Sequence, residues 1–471
     1  MSGGAGPGSR PSGESPAGRP RIGVLRPWLV LAICCMSLFI VGMDNTIVNV
    51  ALPSIQRELG AGVSELQWVV DAYLLVLASL LIFSGSLGDR LGRARVFRYG
   101  LALFALASLS CGLAPNTGIL VLCRALQGVG GSMLNPVALS IIRETFEDPR
   151  RRAQAIGVWG GVIGISMGVG PVLGGFLVQF VTWRAVFYIN VPIALLAIVL
   201  TIAFVPDSRA RHARRADPVG QMLVFLTLVA LTFGVIEAPR LGGASMVILG
   251  AFAIALICGV ALVRWELRRD EPLIEMRVFR SPDFAAATAI AVLAFYALGA
   301  YMFLLTLYLQ DTRHYSAVQA GLFLLPNALV MLFAAPLSGR LVGALGPRPS
   351  LLIGGISLTL ASLMLTRLGV GTGDWWILAA GALMGLGSGS VNAPITNTAV
   401  SGLPASQAGV AAAIASASRQ VGSVLGVAVA GMLATNTAHA LGTDQGAWLT
   451  LVGCGIAVVA VTILTVRHRR Q

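Results

Sequence analysis

Apolar runs of about 20 residues recur along this chain, and they constrain its fold more than any other feature. A helix of that length crosses the ~30 Å hydrocarbon core of a bilayer, where no water satisfies a bare backbone. The runs lie at roughly 28–50, 66–88, 97–114, 117–140, 153–180, 184–205, 218–237, 244–263, 284–309, 317–341, 349–366, 375–397, 407–434 and 445–466. Because 56% of the residues are hydrophobic and 11% are charged, a water-soluble fold could not cover them. The sequence predicts an all-α integral membrane protein with 14 transmembrane helices.

The same glycine pattern occurs in both halves of the chain. Gly85-Ser-Leu-Gly-Asp-Arg-Leu-Gly-Arg93 returns in weaker form at Gly339–Gly346, 254 residues later. Further matches, at offsets of 257 and 252 residues, relate span four to span twelve and span five to span thirteen. Such internal repeats are typical of transporters built from two related halves. Spans one to six (27–206) and spans nine to fourteen (283–466) are therefore predicted to form two pseudo-symmetric six-helix bundles, with spans seven and eight (217–265) as an inserted helix pair.

The distribution of arginine predicts the orientation of the chain in the membrane. All 33 basic residues are Arg; with the N-terminus inside, 26 of them lie in inner segments and 5 in outer loops. This bias predicts a multi-pass protein of the cell membrane with both termini in the cytoplasm. Residues 1–26 are rich in Gly, Pro and Ser and are expected to form a disordered tail, and residues 467–471 form a second cytoplasmic tail.

Three ionisable side chains fall inside predicted spans one, two and four: Asp44, Asp71 and Arg124. Each costs about 2.5–3.5 kcal/mol on insertion scales, so their presence indicates function. Counted from the predicted outer ends, all three lie roughly 8–10 Å deep. We hypothesise that Asp44 exchanges a proton for substrate, pairing with Arg124 or with a cationic drug when ionised; a static pair that only holds the spans together is the alternative. Asp71 either takes part in proton coupling or lies wet at the outer mouth.

Four motifs carry a resemblance to a known family. They are Asp44-x-x-Ile47-Val48-Asn49 in span one, Gly85-x-Leu87-x-Asp89-Arg90-x-Gly92-Arg93 after span two, Arg124-x-x-Gln127-Gly128-x-Gly130 in span four, and Gly157, Ser166, Gly170, Pro171, Gly174 and Gly175 in span five. Together they resemble the major facilitator superfamily, and specifically its fourteen-span drug:proton antiporters. Ser166 departs from the usual glycine, and Gly343 stands in the second hairpin where the first has Asp89.

The resemblance implies a role for each motif. Asp44, Asp71, Arg124 and Gln127 would couple transport to protons. The hairpin residues (Gly85, Asp89, Arg90, Gly92 and Arg93) would gate the bundles, with Asp89 meeting the N-terminus of a neighbouring helix, whose dipole favours a carboxylate. The span-five glycines and Pro171 would control leakage and the direction of antiport, lying against the region of span eleven. Close helix packing alone is the other reading of that glycine face.

Polar residues within the other spans are candidates for a substrate cavity between the repeats. They are Asn45, Asn49, Trp68, Asn135, Glu237, Tyr296, Tyr301, Asn327, Asn392 and Arg419. Sequence alone does not fix the rotation of a helix, and Trp and Tyr near span ends also serve as interface anchors. Arg419 has no acidic neighbour in the spans of its repeat, so it either lies near the cytoplasmic side, binds backbone carbonyls or binds an anionic substrate.

The leading function is proton-driven export of an amphipathic drug, dye or antibiotic; the alternative is a facilitator-type proton symporter for a small metabolite. An enzyme is not expected, because no cluster of catalytic side chains is present. ATP-driven pumping by this chain is excluded because a P-loop needs Lys, and the chain has none. The 6 cysteines form no CxxC pair, so neither metal nor cofactor is predicted. The expected partners are a small amphipathic substrate, protons and the lipid bilayer, with no nucleic acid, and the chain is expected to be a monomer.

Overall fold

The computed structural model describes residues 25–209, 217–269, 272, 276–400, 408–435 and 445–465. These residues form helices, with no strand among them, and 14 helices are long and apolar enough to cross a membrane. In chain order the spans are Leu25–Leu59, Val63–Leu91, Arg93–Gly112, Thr117–Thr145, Pro149–Phe180, Ala185–Phe204, Pro218–Leu241, Met246–Glu266, Pro282–Thr312, Ala317–Leu345, Pro347–Leu365, Asp374–Val400, Ala408–Thr435 and Gln445–Thr465. The predicted fold class is confirmed.

Several spans extend beyond their predicted ends. Span one ends at Leu59 rather than near residue 50, because a helix keeps its backbone bonded after it leaves the apolar layer. Asp44 is therefore about 22 Å from the end of its helix; the depth predicted for it was counted from the end of the apolar run and stays a prediction. The predicted tails 1–26 and 467–471 lie outside the described residues, except that Leu25 and the residue after it already belong to span one.

The two bundles repeat the same helix packing. Gly174 of span five lies against Ile47 of span one, and its counterpart Gly426 of span thirteen lies against Tyr296 of span nine. A Cβ at either glycine would collide with the neighbouring backbone or side chain. The repeated glycines thus mark the same close helix contact in each bundle.

Three glutamines join the two bundles at one end of the molecule. Gln67 Nε2 donates to the carbonyl oxygen of Ala428 at 2.7 Å, and Gln310 Nε2 donates to that of Val50 at 3.0 Å. Gln179 Oε1 accepts a hydrogen bond from the backbone at the start of span ten at 3.3 Å. We call this end the far side.

At the opposite end, which we call the hairpin side because residues 85–93 lie there, glycines of both bundles lack close neighbours among the described residues. A Cβ built on Gly157, Gly161 or Gly343 would meet no atom within 4 Å. Further along span five, a Cβ on Gly164 would lie 2.7 Å from a methyl group of span ten. Close contact between spans five and ten therefore extends from the far side to about the middle of the molecule.

Spans seven and eight pack against each other, and span seven also packs along spans two and thirteen. Gln221 Nε2 donates to the carbonyl oxygen of Ser79 at 2.5 Å, and Glu237 Oε1 accepts from Trp68 Nε1 at 3.0 Å. Both contacts go to span two, so hydrogen bonds attach the inserted pair to the first bundle.

Candidate functional site

Asp44 of span one and Arg124 of span four form a buried ion pair. Arg124 Nη1 lies 2.5 Å from Asp44 Oδ2, and the two side chains are 1% and 0% exposed. Span four comes close to span two because Gly128 faces the backbone of Tyr73, where a Cβ would stand 2.7 Å from the carbonyl oxygen. The structure thus brings together two residues that the sequence placed on separate helices.

Neutral side chains complete the surroundings of Asp44. Gln127 Nε2 and Asn190 Nδ2 donate to Asp44 Oδ1 at 2.9 and 3.0 Å. Both nitrogens also donate to Ser108 Oγ, each at 3.1 Å. Gln127 Oε1 accepts from Arg124 Nη1 at 2.8 Å. A buried ion pair is stable when hydrogen bonds satisfy its remaining atoms. Side chains of the first, third, fourth and sixth spans form such a network here.

Sequence reasoning missed Asn190 and Ser108. Span six consists of two helices, Ala185–Tyr188 and Asn190–Phe204. Pro192 has no N–H to bond the carbonyl of Tyr188, so the helix breaks there and Asn190 begins the second part. The sequence feature that could have identified Asn190 was a single amide side chain next to a proline within an apolar run.

The guanidinium of Arg124 is enclosed on its other sides as well. Its Nε donates to the carbonyl oxygen of Val69 at 2.9 Å. The guanidinium carbon lies 4.3 Å from the ring centre of Tyr73 and 5.8 Å from that of Phe187. Aromatic faces attract a cation when water is excluded.

Asp71 lies outside this network. It is 0% exposed, and neither carboxylate oxygen has a hydrogen-bond partner among the described residues. The interpretation of Asp71 as a wet residue at the outer mouth is therefore wrong, because its side chain is fully buried. The described residues around it offer no donor or cation that would offset a negative charge. Its role in proton coupling stays a prediction.

The charged hairpin bonds within the first bundle. Arg93 donates to Asp89 Oδ1 from Nε at 3.1 Å and from Nη2 at 2.9 Å. Arg93 Nη1 also donates to Glu144 of span four at 2.7 Å. Arg90 is exposed. Among the described residues Asp89 is thus bonded to a side chain of its own hairpin, rather than to the N-terminus of a neighbouring helix.

The glycines of the hairpin allow close approach. A Cβ on Gly85 would lie 3.5 Å from Pro136, and one on Gly88 would lie 2.9 Å from a Val137 methyl. Gly92 has φ 112°, and a Cβ there would stand 2.5 Å from Asp207 Oδ1. Gly92 is therefore required both for its backbone conformation and for its lack of a side chain.

The span-five motif contacts two neighbouring helices. Gly170 and Gly174 lie against span one, while Gly175 lies against the start of span ten, where a Cβ would stand 2.8 Å from Val318 Cα. Pro171 presents its carbonyl oxygen to span ten, and Gly157 faces open space. Span five was expected to lie against the region of span eleven, and this prediction is wrong, because span five packs against span ten. The repeat relates span five to span thirteen and span two to span ten. Span thirteen correspondingly packs against span two.

Comparison with known proteins places the chain in a family. The Major Facilitator Superfamily profile matches residues 34–427. The chain is 38% identical to the tetracenomycin C resistance and export protein of Streptomyces glaucescens, over 87% of this chain and 76% of that protein. It is 37% identical to the multidrug resistance protein Stp of Mycobacterium tuberculosis (90% and 76%) and 33% identical to a methylenomycin A resistance protein of Streptomyces coelicolor (88% and 86%).

The chain belongs to the major facilitator superfamily. It is a membrane transporter and not an enzyme, and its relatives include proteins named for antibiotic resistance and multidrug efflux.

In this facilitator the asparagines predicted for the substrate cavity divide into two groups. Asn45, Asn135 and Asn392 are half-buried. Asn49 is 3% exposed, and its Nδ2 donates to the carbonyl oxygen of Asn45 at 3.1 Å, one helical turn away. Asn327 is 0% exposed and neither side-chain atom has a partner among the described residues. Asn327 therefore points into the second bundle rather than into an open cavity.

Two other residues predicted for the cavity also lie elsewhere. Glu237 is at the contact of span seven with span two, paired with Arg240 at 3.2 Å in addition to its bond from Trp68. Tyr301 is 0% exposed and faces Gly381 inside the second bundle. These placements correct the prediction, because each polar group turns toward a packed neighbour. A cavity of about 240 Å³ between spans two, seven, eight, nine and thirteen is lined by none of the predicted residues.

Proposed function

We propose that this facilitator exports an amphipathic compound in exchange for protons by alternating access. The printed names of its relatives concern resistance, export and multidrug efflux. Hydrogen bonds join the bundles on the far side, whereas Gly157 and Gly343 on the hairpin side have no close neighbour among the described residues. This pattern fits one of the two arrangements that alternating access requires. With 26 arginines on the hairpin side against 5 on the other, the hairpin side is cytoplasmic and the open space admits substrate from the cytoplasm.

The observation that carries the proposal is the enclosed pair of Asp44 and Arg124. Protonation of Asp44 cancels its attraction for Arg124, which then keeps only neutral acceptors, Gln127 and the carbonyl of Val69. An unpaired buried cation is costly, so the helices that carry the pair are driven to rearrange. An inside-negative potential contributes about 2.3 kcal/mol per charge per 100 mV to the inward movement of the proton.

The hairpin provides the second part of the mechanism. When the bundles close on the hairpin side, Asp89 comes within reach of the second bundle, and its charge can hold the two together. In the open arrangement the same charge is retained by Arg93. The hairpin thus exchanges an internal ion pair for a contact between bundles.

Purified protein in proteoliposomes tests the proposal, with an anionic, a neutral and a cationic amphipathic dye compared under an imposed pH gradient. We expect the wild type to move at least one of these dyes against its gradient, in the direction opposite to protons, and to stop when an uncoupler is added. Asp44→Asn is expected to lose at least tenfold of this rate. Asp374→Asn is the matched control, since that carboxylate is 54% exposed on the far side.

Two results would contradict the proposal in different ways. Undiminished proton-driven transport by Asp44→Asn would remove Asp44 from the mechanism. Dye movement in the same direction as protons would favour the alternative, a symporter.

A further inference from the structure

Arg419 of span thirteen carries a positive charge that no carboxylate of the described residues offsets. Its Nη2 donates to the carbonyl oxygen of Asn392 at 3.2 Å and to Thr396 Oγ1 at 2.6 Å, both in span twelve. Its Nε is buried without an acceptor. All of its protein partners are therefore neutral, and part of its donor capacity is unused.

The repeat shows that the first bundle has no arginine at the position equivalent to Arg419. The offset of 252 residues between spans five and thirteen places Arg419 where the first bundle has Met167. The offset of 257 residues between spans four and twelve places Gly381 where the first bundle has Arg124. Each bundle thus holds one arginine at membrane depth, but only that of the first bundle has an acid beside it.

Arg419 also lies where a transported molecule can reach it. It is half-buried, and Thr396 beside it is exposed. Arg419 is about 16 Å along span thirteen from Ala408, near the middle of the molecule. The ring centre of Phe295 lies 5.8 Å from the guanidinium carbon and supplies an apolar surface next to the charge.

The other charges at this depth leave the positive charge uncompensated. Asp44 and Arg124 neutralise each other, and Asp71 of span two is buried with no cation beside it among the described residues. A guanidinium with free donors binds a planar carboxylate through two parallel hydrogen bonds.

We propose that Arg419 is a specificity-determining residue, and that the exported compound is an amphipathic organic acid whose carboxylate binds Arg419 while its ring system packs on Phe295. The proposal rests on the proposed export function. It also fits the energetics of antiport, because an inside-negative potential drives both an anion outward and a proton inward.

Three pyrene probes that differ only in charge test this inference: pyrenebutyrate, its methyl ester, and pyrenebutyl-trimethylammonium. Binding to the full-length protein in detergent is followed by energy transfer from tryptophan. We expect pyrenebutyrate to bind at least tenfold more tightly than the ester. Arg419→Gln should lose at least tenfold of the affinity for the acid and leave that for the ester unchanged.

Two further variants keep the test decisive. Arg419→Lys keeps the positive charge but lacks the planar guanidinium that donates two parallel hydrogen bonds to a carboxylate, so we expect an intermediate affinity for the acid. Arg367→Gln removes an exposed arginine and should change nothing. Unchanged binding of the ester and an unchanged melting temperature show that Arg419→Gln is folded.

Equal affinity of the wild type for acid and ester, or an equal loss of both in Arg419→Gln, would overturn the inference. If the protein exchanges the trimethylammonium probe for protons in proteoliposomes but does not bind the acid, the inference fails while the export function stands. If no probe moves with the pH gradient, the export function fails on its own evidence.

Discussion

Replacing Asp44 by asparagine is nearly isosteric and removes one charge from the buried pair. The two carboxylate oxygens accept from Arg124 on one side and from Gln127 and Asn190 on the other. An asparagine amide must turn its NH₂ group toward one set of donors, whichever way it rotates. Breaking a buried ion pair costs about 3–5 kcal/mol. At roughly 2 °C per kcal/mol for a large chain, we expect the melting temperature to fall by about 6–10 °C.

A double-mutant cycle separates the loss of the pair from the loss of a single group. Arg124→Gln leaves Asp44 without a counter-ion and should be destabilised to a similar extent. The double variant Asp44→Asn/Arg124→Gln contains neither charge, and neutral replacements of buried pairs cost far less than half-pairs. We expect it to regain at least half of the lost stability, a coupling of about 3 kcal/mol.

The assay uses the free cysteines of the protein. Cys34, Cys111 and Cys123 are buried, so a thiol-reactive fluorophore reports unfolding in detergent as they become accessible. Glu58→Gln is the control, because Glu58 pairs with Arg184 at side-chain exposures of 49% and 25%. An exposed pair contributes about 0–1 kcal/mol, so this variant should melt within about 2 °C of the wild type. A double variant that melts as low as the sum of its two single variants predicts would refute the reasoning.

Three further predictions concern packing. Gly175→Ala should lower dye transport at least tenfold, because its Cβ would collide with Val318 and hold the far side apart, whereas Gly161→Ala should transport normally because its Cβ meets nothing within 4 Å. Glu237→Leu should lower the melting temperature by about 2 °C, since it leaves the partly buried indole N–H of Trp68 unbonded at a cost of about 1 kcal/mol. Gly92→Ala should lower the melting temperature to a similar extent, because φ 112° is strained for any L side chain.

The ion pair could be predicted from the sequence because charges within apolar spans are few. Once Asp44 and Arg124 stand in apolar runs, each needs the other to offset its desolvation. The repeat could be predicted for a related reason: glycines at close helix contacts, such as Gly174 and Gly426, are needed wherever the same packing recurs.

The remaining parts of the site depend on how each helix is rotated, and composition does not determine rotation. Asn190 enters the network because Pro192 breaks span six, while Asn327 turns into the second bundle although it looks equally suited to a cavity. The role of Glu237 depends on where the inserted pair docks, and no repeat exists to indicate that position. These residues could be recognised as polar groups in apolar spans, but not assigned to a surface.

Span two connects the ion pair with the seam between the bundles. Arg124 Nε is bonded to the carbonyl oxygen of Val69, and two residues earlier Gln67 crosses the seam to Ala428 of span thirteen. A Cβ on Gly431, one turn further along span thirteen, would collide with Gln67, so this crossing is tightly fitted. The second bundle has no counterpart of the pair, because Gly381 stands in place of Arg124. Any movement of Arg124 therefore reaches the second bundle through a short segment of span two. The hydrogen bond from Gln67 to Ala428 must break before the far side can open.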